Sequence, residues 1–228
     1  MLKPDKKWLA AIGIVLFISF VFFSYLVAKE LFSQLDFDTT VKIQDRLTRG
    51  VDFPFSLISV IGSLEISLAI WMLTTGYFFV RRFWLAGIAM FSLPAGLLLE
   101  LFGKTFLLHP APPHMFYRGV IDYQFPSHFV HTQYSYPSGH TTRLVFLLVL
   151  LMVYLYLRRS GIHSLFVYLI ILVAIVLVGV SRVYLGEHWT TDVIGGGLLG
   201  AALAVLTGLF IPIKNPKTAV LEEEKKDL

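Results

Sequence analysis

The 228-residue chain contains no cysteine, so neither a disulfide nor a thiolate metal site can form. Charge is also scarce. Asp, Glu, Lys and Arg make up 15% of the residues, against about 25% in an ordinary soluble domain. A soluble domain covers its core with charge, and this chain has too little for that. What replaces it is apolar: 56% of residues are hydrophobic and the mean hydropathy is +0.73. Disorder, collagen, coiled coil and small disulfide scaffolds are excluded. A polytopic membrane protein is the class that remains.

A bilayer-spanning helix needs about 20 mostly apolar residues. Six stretches qualify: 8–28, 53–80, 83–104, 139–157, 164–180 and 193–213. The first is too long for a signal peptide and lacks a small-residue cleavage site, so it reads as a retained span. The second carries Glu65 about midway, read as helix–helix hydrogen bonding, and the third is expected to bend at Pro94. The fold expected is all-α, a single membrane domain over 1–228 with both termini on one side. Gly196 and Gly200 in the last span form a small-xxx-small pair suited to close helix packing.

Basic residues in short loops mark the cytoplasmic side. With the N-terminus inside, that side holds Lys3, Lys6, Lys7, Arg81, Arg82, Arg158, Arg159, Lys214, Lys217, Lys225 and Lys226, which is 11 of 19 basic residues. The Arg81-Arg82 turn and the Arg158-Arg159 pair are the sharpest markers. An N-in, C-in arrangement follows, with 214–228 as a cytoplasmic tail. The net charge of +4 then reflects topology, and no nucleic-acid partner is expected. Residues 29–52 are expected to include a short interfacial helix, with Phe37, Val41 and Ile43 toward lipid and Asp45, Arg46 and Arg49 in water. Residues 105–137 form a long outer loop between the third and fourth spans. It holds five prolines and many aromatics, and reads either as functional or as an aromatic anchor.

Ionisable groups near spans are expensive and mark function. Here they gather at the outer ends of the third to sixth spans: Lys104, then Ser138, Gly139, His140 and Arg143, then Arg182, then His188 and Asp192. Snorkelling suits a lone Lys or Arg. It does not account for two His, an Asp and a Ser-Gly turn at one level. Residues 136–140 read as a turn feeding a helix N-terminus, where unpaired N–H groups and the dipole favour an anion. Gly139 permits close approach and Ser138 adds a donor. Lys104 and Arg182 supply charge, the latter as a fork suited to phosphate oxygens. His188 and Asp192 are four apart, on one face if that stretch is helical. Asp192 can then hold one imidazole nitrogen and leave the other as nucleophile or base. His140 can protonate a leaving oxygen, and Arg143, one turn on, can face the same pocket. Glu100 lies four residues before Lys104 and either aims it or forms a local salt bridge.

Pro-Ser-Gly-His at 137–140, and Ser181-Arg182 followed by His188 and Asp192, resemble two signature motifs of the type 2 phosphatidic acid phosphatase superfamily. Its members include integral-membrane lipid phosphatases and soluble vanadium haloperoxidases. The motif order, their gap and the six-span layout match over roughly residues 55–213. The resemblance implies a metal- and cofactor-independent hydrolase. His188 attacks phosphorus and forms a phosphohistidine, Asp192 orients it, and His140 protonates the leaving group and then activates water. Lys104, Ser138, Gly139 and Arg182 hold the phosphoryl oxygens. The implied location is the cell membrane, with the site on the extracytoplasmic side and a membrane lipid as partner. Candidate substrates are phosphatidic acid, phosphatidylglycerol phosphate and polyprenyl pyrophosphate such as the undecaprenyl carrier.

The first motif departs from the family. Where Lys, six residues and Arg-Pro are expected, the chain has Lys104, six residues, Ala111 and Pro112. A lost charge-assisted contact is worth about 1.5–3 kcal/mol. Arg143 or Arg118 supplies the missing guanidinium, or the substrate differs, or catalysis is weak; Arg143 is favoured, one turn past His140. Two other functions use the same cradle, a lipid-phosphate binder or transporter and a phosphotransferase. A metallophosphatase built on His109, His114, His128 and His131 is disfavoured because their spacing fits no metal site.

Overall fold

A computed structural model describes residues 5–121, 125–126, 132–158 and 163–213. No strand occurs among them. Nine α-helices run in order: α1 Lys6–Ala28, α2 Ser33–Arg46, α3 Asp52–Ile61, α4 Leu64–Val80, α5 Trp84–Ala89, α6 Ser92–Phe106, α7 Gly139–Leu157, α8 His163–Tyr184 and α9 Thr190–Gly208. Five stretches are long and apolar enough to cross a membrane: α1, α5 with α6, α7, α8 and α9. The pair Arg49–Ile61 and Leu64–Val80, bent by 49°, brings the number to six if it is one span. The apolar faces of these helices turn outward, with Trp8 71%, Leu73 76% and Val80 83% exposed. Patches of that extent are not tolerated in water, and the chain is a multi-pass membrane protein. The tail 214–228, with four of the inner lysines, lies outside the described residues, as do Lys3 and Arg159.

The centre of the bundle is α9, packed between α7 and α1. Small residues make this possible. A Cβ at Gly196 would stand 2.5 Å from the Ser138 carbonyl oxygen, and one at Gly200 would collide with the Thr142 carbonyl. The two glycines expected to serve packing therefore bring the α9 backbone onto the first turns of α7. The core beside them is formed by Phe146, Leu150, Val153, Leu157, Ala204 and Val205 with Met90 and Leu93.

Several boundaries differ from the sequence expectation, each for a local reason. The second span breaks at Gly62-Ser63, where the Ser63 hydroxyl accepts from Ile66 N and caps α4. Glu65 sits in the first turn of α4, where the helix dipole favours a carboxylate. The third span breaks at Met90-Phe91, upstream of Pro94. Pro94 has no N–H, and its ring clashes with the carbonyl four residues back, which is that of Met90. The helix restarts at Ser92, and the Met90 carbonyl accepts from Trp71 Nε1 at 2.8 Å. Helix α8 runs on through Arg182 to Tyr184, past the expected end at residue 180. The last helix begins at Thr190 and ends at Gly208 instead of spanning 193–213, because Asp192 closes a first turn that starts before it.

Within 29–52 the chain forms α2, and the face it turns toward the bundle is polar. Asp36, Thr40 and Gln44, spaced four apart, are buried. Ile43, expected against lipid, packs on the cluster of Phe55, Tyr184 and Leu185. Phe37 is exposed, as are Asp45, Arg46 and Arg49.

Candidate active site

The Ser138-Gly139-His140 turn opens α7. The Ser138 hydroxyl caps the helix by accepting from Thr141 N, and Ser138 N donates to the Asp192 carbonyl at 3.0 Å. This bond joins the two motif segments, seating the first turn of α7 on the first turn of α9. His188 lies in the connector before α9, which is not helical there. The i, i+4 contact nevertheless forms, because Asp192 is the third residue of α9 and its carboxylate turns back. Asp192 Oδ2 accepts from Trp189 N at 3.0 Å and lies 3.1 Å from His188 Nδ1. One carboxylate thus caps the helix and holds the imidazole. Asp192 is fully buried and His188 is 8% exposed. Burial holds His188 well below the usual imidazole value, and the Arg182 and Lys104 charges push the same way. A neutral ring fixed at Nδ1 can present its Nε2 lone pair as a nucleophile or base.

Lys104, His140 and Arg143 line one cavity of about 250 Å³ together with Glu100, Leu64, Leu97, Leu101 and Thr132. His140 Nε2 is buried and makes no hydrogen bond among the described residues. Lys104 Nζ is 2.8 Å from Glu100 Oε1, and Arg143 Nη1 is 3.1 Å from Glu100 Oε2. The Glu100–Lys104 pairing is therefore part of a three-residue cluster rather than a local bridge alone. The Glu100 carboxylate lies directly against Gly139, leaving no room for a Cβ there. Arg143 also donates to the Gly62 carbonyl at 3.5 Å. Arg182, buried near the end of α8, bonds the Ser59 hydroxyl and pairs with Glu187.

Ala111 lies elsewhere. It lines a separate cavity of about 340 Å³ with Glu30, Ser33, Asp36, His109, Pro113 and Trp189. Arg118 is turned toward α2, stacking over Tyr184 at 5.0 Å and donating to the Gln44 carbonyl at 3.1 Å.

Sequence reasoning missed a buried polar group behind Asp192. Thr191 N and Oγ1 donate to Asp36 Oδ1 and Oδ2 at 2.9 and 2.6 Å. His109 Nε2 lies 3.1 Å from Thr191 Oγ1 and 3.4 Å from Asp192 Oδ1. Burial raises the Asp36 carboxyl, and the two bonds from Thr191 pull it back. The one available signal was the four-residue spacing of Asp36, Thr40 and Gln44 on α2. Ser59, Gly62 and Glu187 were likewise not foreseen. No three His, Asp or Glu side chains are grouped to hold a metal among the described residues; His128 and His131 lie outside them.

Comparison with known proteins supports one family. The family model described as the PAP2 superfamily matches residues 82–215. Phosphatidylglycerophosphatase B of Bacillus subtilis is 35% identical over 138 residues, 59% of this chain and 62% of its own. Undecaprenyl-diphosphatase of Sulfolobus acidocaldarius is 38% identical over 80 residues, 33% of each chain. The chain thus spans less than two thirds of the length of these relatives. The crystal structure of a transmembrane PAP2-type phosphatidylglycerolphosphate phosphatase from Bacillus subtilis superposes with a TM-score of 0.69 at 26% identity, covering 86% of this chain and 93% of that one.

Proposed function

The chain belongs to the PAP2 superfamily, and from that premise we propose that it is a membrane lipid phosphatase working through a phosphohistidine at the outer membrane face. The observation that carries this reading is the His188–Asp192 pair, 3.1 Å apart and buried, with His188 in the field of Lys104, Glu100 and Arg143, which line a cavity together with His140. A binder or transporter of lipid phosphate has no need of an imidazole held at Nδ1 by a buried carboxylate.

The His188 Nε2 lone pair attacks phosphorus while Asp192 keeps the Nδ1 proton in place. The bond from phosphorus to the leaving oxygen breaks, and His140 gives that oxygen a proton. A water then attacks the phosphohistidine, with His140 taking its proton. The P–N bond breaks, phosphate leaves and His188 is neutral again. Lys104, Ser138, Gly139 and Arg182 hold the phosphoryl oxygens, with Arg143 in place of the guanidinium absent at Ala111. Stabilisation of developing charge by such preset donors supplies much of the acceleration. In this reading α3 and α4 form one broken span, both termini are cytoplasmic, and α2 lies at the outer interface. No metal takes part.

Phosphatidic acid, phosphatidylglycerol phosphate and polyprenyl pyrophosphate are the substrates to test. Purified protein in detergent is expected to release phosphate from at least one, equally with and without EDTA, and His188→Ala is expected to abolish release. Release from none of them overturns the reading and favours binding or transport. Loss of activity in EDTA overturns metal independence alone.

A further inference from the structure

The nucleophile's partner is itself held from behind. Asp192 Oδ2 is committed to His188 and to Trp189 N; Oδ1 is buried, makes no hydrogen bond among the described residues and faces His109 Nε2 at 3.4 Å, an electrostatic contact. What His109 presents there depends on its tautomer, and the neighbours fix it. Thr191 has one hydroxyl proton. Both Asp36 oxygens accept from Thr191, one from its N–H and the other from its hydroxyl at 2.6 Å. With its proton given to Asp36, the Thr191 oxygen can only accept from His109 Nε2, 3.1 Å away. His109 Nε2 therefore carries hydrogen, and that N–H edge faces Asp192. The His109 backbone is clamped in turn, since Ser135 N and Oγ both donate to its carbonyl at 3.0 and 3.1 Å. Asp36, Thr191 and Asp192 are each 1% exposed or less and His109 is 7%, so these contacts are shielded from bulk water, although Asp36 and His109 also border the cavity beside Ala111. Asp36 stands on α2, ahead of the segment 82–215 that matches the family model.

We propose that Asp36, acting through Thr191 and His109, is a positioning residue for Asp192: it holds the His109 Nε2–H edge against Asp192 Oδ1 and so keeps Oδ2 on the nucleophile His188. The proposal rests on the phosphatase reading above. Asp36→Asn tests it with little change of volume. An Asn can still accept from Thr191 N, but its amide donates to Thr191 Oγ1. The Thr191 proton is then sent to His109 Nε2, the tautomer reverses, and a ring nitrogen lone pair faces Asp192 Oδ1 where the positive N–H edge stood.

The experiment measures kcat and KM for phosphate release by purified full-length wild type, Asp36→Asn, His109→Gln, His109→Leu and the double variant Asp36→Asn/His109→Gln. Melting temperature is recorded for each. Loss of this favourable contact lowers kcat by about tenfold in Asp36→Asn and His109→Leu, with KM changed by less than about twofold. Gln offers an N–H donor whatever the state of Thr191. His109→Gln therefore retains most of the activity, and adding Asp36→Asn to it lowers kcat no further. Unimpaired kcat in Asp36→Asn overturns the proposal, as does a loss that follows the folded fraction or appears in KM. An additive loss in the double variant overturns it too. Wild-type protein inactive on every lipid overturns the phosphatase reading and this proposal with it, whereas active wild type with unimpaired variants overturns this proposal alone.

Discussion

Glu100 Oε2 lies 3.1 Å from Arg143 Nη1, and its other oxygen lies 2.8 Å from Lys104 Nζ. A resident carboxylate thus engages two of the cations assigned to phosphate and stands against Gly139 at the α7 N-terminus. An incoming phosphoryl group has to take over these contacts. Glu100→Gln leaves two largely buried cations without their anion, a change worth about 3–5 kcal/mol for a buried pair. The expected outcome is a lower melting temperature that inorganic phosphate restores, with phosphate raising it more in Glu100→Gln than in wild type. Equal stabilisation of both proteins by phosphate would show that the anion does not bind where Glu100 points.

The pH dependence follows from His188. The nucleophile has to be neutral, and burial, Arg182 and Lys104 hold its pKa well below 6.5. The acid limb of kcat/KM that belongs to this group is expected below pH 6.5. The Glu100 charge opposes the shift, so Glu100→Gln moves the limb to still lower pH. Comparing the two proteins on one substrate cancels the titration of the substrate phosphate itself. An unchanged or higher midpoint in Glu100→Gln contradicts the assignment of this limb to His188.

Close packing of α9 on α7 gives a paired stability test. A Cβ at Gly196 would stand 2.5 Å from the Ser138 carbonyl oxygen, whereas at Gly197 it meets nothing within 4 Å. Backbone cannot swing aside as a flexible side chain can. Gly196→Ala is expected to destabilise by about 1–3 kcal/mol and to lower activity by shifting Ser138. Gly197→Ala gains helix propensity, up to about 1 kcal/mol, and is expected to leave melting temperature and activity unchanged or slightly raised. Melting curves for the two variants with equal losses would mean that the observed approach is not a tight one.

Much of the fold could be read because its signals are local. Uninterrupted apolar runs gave the helices, and the Ser138-Gly139-His140 turn and the His188, Asp192 spacing each lie within a few residues. The errors came from chemistry that acts across a boundary. The helix is interrupted not at Pro94 but at Met90-Phe91, where the carbonyl four residues before the proline lies. Glu65 lies in the first turn of a new helix because Gly62-Ser63 breaks the old one. What could not be read was pairing between distant segments. Arg182 meets Ser59 and Glu187, Arg143 meets Gly62, and Asp36 reaches Thr191 across 155 positions. Asp36, Thr40 and Gln44 recur every four residues on α2, but nothing in that spacing names the partner.

The absence of cysteine makes orientation directly testable with single reporters. Lys29, just after α1, and Arg81, at the end of α4, are both exposed. In the proposed orientation they lie on opposite sides of the membrane, Lys29 on the side of Lys104, Ser138 and His188. The basic pairs at 81–82 and 158–159 favour keeping their own side inside. In intact cells a membrane-impermeant maleimide is expected to label Lys29→Cys fully, and Arg81→Cys only after permeabilisation. The reverse pattern would put the catalytic face in the cytoplasm, and lipid phosphates of the inner leaflet would then be the ones to reach it.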